Sequence, residues 1–493
     1  MRGSTQFWCE QAWLGGEAAT AGVVIDVEGE RIVSVRVGIA EAPRGAVVLP
    51  GYTLPGLANA HSHAFQRAFR GKTEVGRGTF WTWREEMYAA AARLDPDLYF
   101  ALARATFGEM ALAGVTGVGE FHYVHQAPDG SAYEDPNAMG AAVIAAAREA
   151  GIRITLLDTC YLHGGIGVEL GAGQRRFSDG AVERWAERVS ALAAGASRSA
   201  GPSGSKGAAG RSGEPGSVGV AGSDDGRASP GLSSTVRIGA AIHSVRAVAP
   251  EEAAAVAAWA RERGAPLHAH VSEQPDENAA SIAAYGRTPT DVLAEAGAID
   301  ERFTAIHVTH PTQGDRERLG AAGATVCLCP TTERNLADGI GPAAMLRAAG
   351  ARLAVGSDSQ AVIDIFEEAR GIELDERLAR LERGNQDAAA LLTAATADGQ
   401  RAIGWPEAGA IERGRLADLV NLSARSARLA GITPETAAPS IVFAASAADV
   451  TNVIVGGEFV VRSGVHARLD VADELRTSIA ALSGDDGSDG GPW

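Results

Sequence analysis

His61 and His63 stand two residues apart in the segment ANAHSHAF. On an extended strand residues i and i+2 point to the same side, so both imidazoles can reach one metal ion. Alone, the HxH spacing is common and carries little weight. It gains weight from His270, at the end of the apolar run PLHAHV, and Asp358, just after RLAVG. Three imidazoles and a carboxylate make a donor set suited to Zn2+ or Fe2+, with a position left for water. One such ion per subunit is expected. The same set assigns chemistry to its neighbours. Glu273 lies three residues beyond His270, beside the metal without being a ligand, where a proton shuttle belongs. The alternative is a solvated glutamate in the first turn of a helix, where acidic residues are favoured. His307 ends the run FTAIH and is placed to hydrogen-bond an attacking oxygen, while Asp358 doubles as ligand and base. His268 shares the face of His270 and is expected packed inside the fold, with His310 in an outer supporting position.

These residues need a scaffold that brings distant strand ends together. The runs LPGLANAH, VTGVGEFHYV, IRITLLDT, VRIGAAIH, PLHAHV, FTAIHV, ATVCLCP and RLAVGSD alternate with alanine-rich helical stretches such as Pro96–Ala113, Asn137–Ala150, Pro250–Arg263 and Asp315–Ala322. Eight strands alternating with helices predict a (β/α)8 barrel, whose chemistry sits at the C-terminal ends of its strands. No glycine-rich phosphate loop follows an early strand, which argues against a doubly wound open sheet. Read this way, strand ends carry His61 and His63, His122 and Tyr123, His243 with Arg246 close behind, His270, His307 and Asp358. Only two lysines occur, Lys72 and Lys206. The fourth strand has none, so a carboxylated lysine bridging two metals is excluded there and one metal is expected.

Both flanks read differently. AGVVIDVEG and RIVSVRVG near the start, and ADLVNL and VTNVIVGGEFVVRSG near the end, are short β-type runs broken by glycine turns. They predict a small β-sandwich domain assembled from both termini, residues 1–53 and 408–482, around a barrel spanning 54–407. A Gly/Ser-rich stretch at 195–234 resembles a flexible linker and is expected as a disordered insertion, and 483–493 as a disordered tail.

Composition limits the remaining possibilities. With a net charge of −17 over 493 residues, the overall field repels nucleic acid and acidic membranes. An anionic substrate must then be caught by local arginines. Four scattered cysteines make no CxxC pair; Cys327 and Cys329 read as small hydrophobes on a buried strand rather than ligands. Neither a secretory signal nor an apolar run of bilayer length is visible, so a cytoplasmic enzyme is expected.

The segments LPGLANAHSHAFQRAFRG, FWTWREEMY, GEFHYVH, HSVRAV, HVSEQ, CPTTERNLADG and GSDSQ together resemble the amidohydrolase superfamily in its mononuclear deaminase branch, and within it the formimidoylglutamate deiminases. The resemblance covers nearly the whole chain apart from the insertion and the tail. HxH and HxxE are shared widely, whereas HAFQRA, FWTWRE and HSVRAV are specific. It implies hydrolysis of N-formimino-L-glutamate to N-formyl-L-glutamate and ammonia in histidine degradation, with Gln66, Arg84, Tyr123, His243 and Arg246 as substrate contacts. A small dicarboxylate suits this reading, because arginine pairs bidentately with carboxylates. For Arg84, beside Glu85, a surface ion pair competes with a place in the pocket. A homodimer is expected. Gln126 stands where the pattern has a second histidine after His125, so neither residue is given a catalytic role. Release of formamide instead of ammonia, or deamination of a purine, pterin or triazine ring, are the enzymatic alternatives. A non-catalytic degenerate barrel would have lost a ligand or the shuttle, and none is lost.

Overall fold

Strands buried on both faces must be largely apolar, and parallel strands of this kind need helices to cover them. The computed structural model, which describes residues 4–73, 80–199 and 235–483, forms such a sheet from Leu57–Ser62, Val115–His122, Arg153–Cys160, Val236–Ile242, Leu267–Val271, Phe303–His307, Thr325–Leu328 and Arg352–Val355. We number these barrel strands one to eight. They pair in chain order, every ladder is parallel, and a bridge between Ser62 and Asp358 brings strand eight back to strand one. All eight expected strands are present, and the nearly closed barrel is the predicted one.

The closing seam is held by two backbone hydrogen bonds. Asp358 N–H donates to His61 O at 3.0 Å and His63 N–H donates to Asp358 O at 3.1 Å. Strand one can come this close because Gly356 has no side chain. A Cβ there would sit 2.7 Å from His61 O and 2.8 Å from His61 Cβ, inside any tolerable contact.

Local signals account for the covering helices. Pro250–Arg263 has the bounds expected from sequence: Pro250 opens it, the Glu252 carboxylate accepts from Ala249 N–H at 2.7 Å, and Gly264 closes it at φ 60°. These are an N-terminal proline, a carboxylate reaching back to the helix start, and a left-handed glycine stop. Helix Val182–Ser199 runs into the stretch expected to be an insertion. The rest of that stretch, residues 200–234, and the tail beyond Ser483 lie outside the described residues.

Both termini build a second, eight-stranded mixed sheet, in the order Val465–His466, Glu458–Arg462, Val450–Val455, Leu419–Leu422, Val47–Pro55, Ser4–Ala12, Thr20–Glu28 and Arg31–Arg36. Ser4–Ala12 and Val47–Pro55 were not among the expected runs, because polar residues and a proline interrupt their alternation. They sit side by side in parallel as the fifth and sixth strands of that order. Helix Val471–Ser483 does not join the sheet; Val471 and Leu475 pack on Ala105 of the barrel helix Pro96–Leu112. Among the described residues no helix is long and apolar enough to cross a membrane.

A buried ion pair ties sheet to barrel. Arg153, on barrel strand three, donates from Nε and Nη2 to Asp418 at 2.8 and 3.0 Å and from Nη1 to Glu30 at 3.4 Å, and Asp418 also accepts from Gly456 N–H at 2.7 Å. Asp418 and Arg153 are fully buried. Removing one member of such a pair strands the other charge in low dielectric, which costs about 3–5 kcal/mol. Asp418→Ala is therefore expected to lower stability by that order, read as a shift of the denaturant midpoint; an unchanged midpoint would show the tie to be dispensable.

Candidate metal centre and active site

The four residues singled out as ligands come from three strand ends and meet at one point. One ligand atom from each of His61, His63, His270 and Asp358 lies within 4.8 Å of the others, and all four residues are buried. Asp358 Oδ1 is 3.3 Å from His61 Nε2 and 3.4 Å from His63 Nε2, and the Nε2 atoms of His61 and His270 are 3.2 Å apart. Backbone carbonyls fix two of the rings. His63 Nδ1–H donates to Phe121 O and His270 Nδ1–H to His243 O, both at 2.9 Å. A carbonyl can only accept, so the proton is on Nδ1 and the Nε2 lone pair faces the centre. Converging buried lone pairs with no protein donor between them fit a cation. Burial drives His61 down to about 3, while burial of Asp358 is overridden by His61, His307 and His63, which hold its carboxyl well below the usual range.

The end of strand six is strained to aim one side chain. His307 has φ 69°, and Val308 N–H donates to Ile306 O at 3.0 Å across it. This is a γ-turn with positive φ, a rare conformation for a residue with a side chain. It puts His307 Nε2 3.7 Å from Asp358 Oδ2 and 3.8 Å from Glu273 Oε1, while Nδ1 donates to Glu333 Oε1 at 3.3 Å. Burial pulls this imidazole down, but the Glu273, Asp358 and Glu333 carboxylates raise it to about 10.

One cavity opens over this cluster. Gln66, Arg84, Tyr123, His243 and Arg246 all line it, together with His63, His270, Glu273 and Asp358. Gln66 donates from Nε2 to Tyr123 OH at 3.0 Å. Arg84 faces the cavity, its Nε donating to Tyr88 OH and its guanidinium 5.2 Å from the Tyr88 ring centre. Arg246 Nη2 donates to Glu273 Oε2 at 3.0 Å, so the carboxylate is held by one oxygen and presents the other towards His307.

Other histidines at strand ends do not join. His122 points away from the cavity, beside Tyr99 and under Gly140, with both ring nitrogens buried and unpartnered; burial depresses it well below its ordinary value. His125 donates to Thr159 O, and His268 to Ala402 O inside the barrel, each at 2.9 Å. His310 donates to Asp338 O at 2.6 Å, Asp338 being held in turn by Gln274. Gln126 lies beside Ser178 and Asp179.

Several participants were not legible in the sequence. Trp83, Met87, Tyr88, Tyr161 and Phe177 form the apolar walls. Arg84, Met87 and Tyr88 lie at helical spacing in FWTWREEMY, a signal that could have found them. Glu120 was also missed. Buried on strand two, it accepts from Ser62 Oγ at 2.6 Å and from Ala64 N–H at 2.7 Å, clasping the chain on both sides of His63. Burial pushes its carboxyl up to about 8. Gln360 extends the clasp, donating to Ser62 Oγ at 3.0 Å and to Asp358 O at 2.9 Å.

Comparison with known proteins gives a consistent picture. The amidohydrolase family model matches residues 52–460. A formimidoylglutamate deiminase of Pseudomonas aeruginosa is 38% identical over 434 residues, 86% of this chain and 87% of the relative. A 5-methylthioadenosine/S-adenosylhomocysteine deaminase of Natronomonas pharaonis is 28% identical over 462 residues, 92% and 90% of the two chains. Among solved structures, an amidohydrolase from Brucella melitensis superposes with a TM-score of 0.84 at 31% identity, covering 97% of this chain and all of the other (100%).

Losing a carboxylate that orients metal ligands typically costs 10–100-fold in metal affinity. Glu120→Gln, whose amide nitrogen donates and cannot accept, is expected to weaken metal binding by about that factor. Competition against a chromophoric chelator measures it, and wild-type affinity would remove Glu120 from this role.

Proposed function

The chain belongs to the amidohydrolase family, a hydrolase of C–N bonds, and from that premise we propose that it converts N-formimino-L-glutamate and water to N-formyl-L-glutamate and ammonia. The observation that carries this reading is the pairing of Arg84 and Arg246 with the metal cluster and Glu273 in one cavity. The relative that is 38% identical supports it. In a protein of net charge −17, two guanidinium groups lining one buried cavity are what an acyclic dicarboxylate requires.

His61, His63, His270 and Asp358 would hold the ion, and three imidazoles with one carboxylate favour zinc, with ferrous iron the alternative. Bound there, such an ion would supply a nucleophile at neutral pH by lowering the pKa of its water to about 7. The remaining work falls to side chains. Arg84 and Arg246 bind the two carboxylates of the substrate, and Gln66, Tyr123 and His243 fix the formimino end over Glu273. The proton of the attacking water passes to Glu273 Oε1, the oxygen turned towards His307. His307 donates a hydrogen bond to the oxygen on which negative charge develops. Glu273 returns that proton to the imino nitrogen; the second proton of the water follows it as the C–N bond breaks and the oxygen becomes the formyl carbonyl, so that the nitrogen departs as ammonia. The apolar walls exclude bulk water and strengthen each of these charge interactions.

A positioned general acid–base contributes about 10²–10⁴ in rate. Glu273→Gln is accordingly expected to lower kcat by at least that factor while metal content stays at the wild-type level; near-normal turnover would sink the assignment. Ammonia release from N-formimino-L-glutamate, assayed beside adenosine and guanine, tests the substrate. Activity on the dicarboxylate that is lost on chelation and restored by zinc is expected. Turnover of a ring alone would transfer the reading to the nucleoside and base deaminases, and formamide in place of ammonia would change the bond that is cut.

A further inference from the structure

The surroundings of His307 hold more metal-binding capacity than one cation uses. A ring nitrogen of His307, the Cys329 thiol and an Asp358 carboxylate oxygen lie within 4.8 Å of one another, all three residues buried. Asp358 divides its oxygens: Oδ1 faces His61 and His63, and Oδ2 faces His307 at 3.7 Å. His307 Nε2 is buried without a hydrogen-bond partner, while Nδ1 is engaged by Glu333. A histidine anchored through Nδ1 to a carboxylate presents Nε2 as its ligand atom, the arrangement found behind metal-bound imidazoles.

Acidic side chains crowd around His307. Glu273, Glu333, Asp338 and Asp358 all act electrostatically on one another or on His307. Asp338 Oδ2 is buried with no partner, and burial together with Glu273 raises its carboxyl to about 9. A thiol, an imidazole and a carboxylate select a borderline or soft cation over a hard one.

We propose that His307, Cys329 and Asp358 form a second, weaker site for a divalent cation such as zinc in excess, with Asp358 bridging it to the first. Two-metal sites place their ions about 3.5–4 Å apart, a span that a bridging carboxylate covers. Affinity is low because both donors must lose a proton: despite burial, the Glu273, Asp358 and Glu333 carboxylates hold the His307 imidazole up at about 10, and burial pushes the Cys329 thiol up. Occupation takes His307 Nε2 away from the oxygen it serves, so excess metal inhibits. That consequence rests on the role given to His307 above, whereas binding itself does not.

Cadmium is the probe, since a cadmium–thiolate bond has its own ultraviolet charge-transfer absorption. Titrating the zinc-loaded protein with cadmium is expected to develop that absorption and to add one further equivalent of metal by elemental analysis. Cys329→Ala and Cys329→Ser should lose both, while Cys327→Ala keeps both. Absorption that survives in the Cys329 variants, or a wild type that takes up no further equivalent, overturns the site. Because these readouts need no substrate, they stand apart from the proposed reaction. Excess zinc should then suppress ammonia release by the wild type and not by the Cys329 variants. A second equivalent bound without inhibition overturns the inhibitory consequence and the role of His307 with it.

Discussion

The two hydrogen bonds that join His61 and His63 to Asp358 close the barrel and assemble the metal centre in one stroke. Closure of a parallel barrel is a fold-level requirement: without it, strands one and eight would both expose unpaired edges. Here three of the four proposed metal ligands, His61, His63 and Asp358, stand at the closing seam. The geometry of the centre is thus inherited from the backbone ladder rather than from flexible side chains. Gly356 permits the approach, and Glu120, Ser62 and Gln360 lock it from behind. Strain at His307 and Asp358, both at positive φ, persists because these surroundings leave no alternative.

Electrostatics impose the second constraint. The site concentrates carboxylates that an acidic protein would otherwise keep apart, and balances them with imidazoles, one arginine and the expected cation. Arg246 serves two partners in this balance. It anchors one oxygen of Glu273 and lines the cavity where an anionic substrate would sit. In the proposed reaction a single guanidinium therefore couples the binding of charge to the positioning of the group that would move the proton.

Much of this was legible in the sequence, for identifiable reasons. Barrel strands such as VTGVGEFH are mainly apolar because they are buried on both faces, and that pattern survives without coordinates. The helix Pro250–Arg263 announced both its ends through proline, a reaching glutamate and a glycine stop. Ser4–Ala12 and Val47–Pro55 did not, because strands with one partly exposed face tolerate polar residues and a proline. Nor could the sequence show that His122, at the end of a strand like the others, turns to the helix side. Along a strand successive side chains alternate faces, so a shift of one residue decides between cavity and core.

By itself, then, the order of residue types determined the barrel, the HxH pair, the later histidine and aspartate, and the glutamate three residues beyond. These follow from local periodicity, which is written into neighbouring residues. Tertiary structure alone decided that Arg84 faces the cavity, that Glu120 clasps the turn at His63, and that Cys329 comes near His307 and Asp358. Each of those depends on contacts between residues far apart in the chain, and no spacing along one strand or helix can encode a meeting across the barrel.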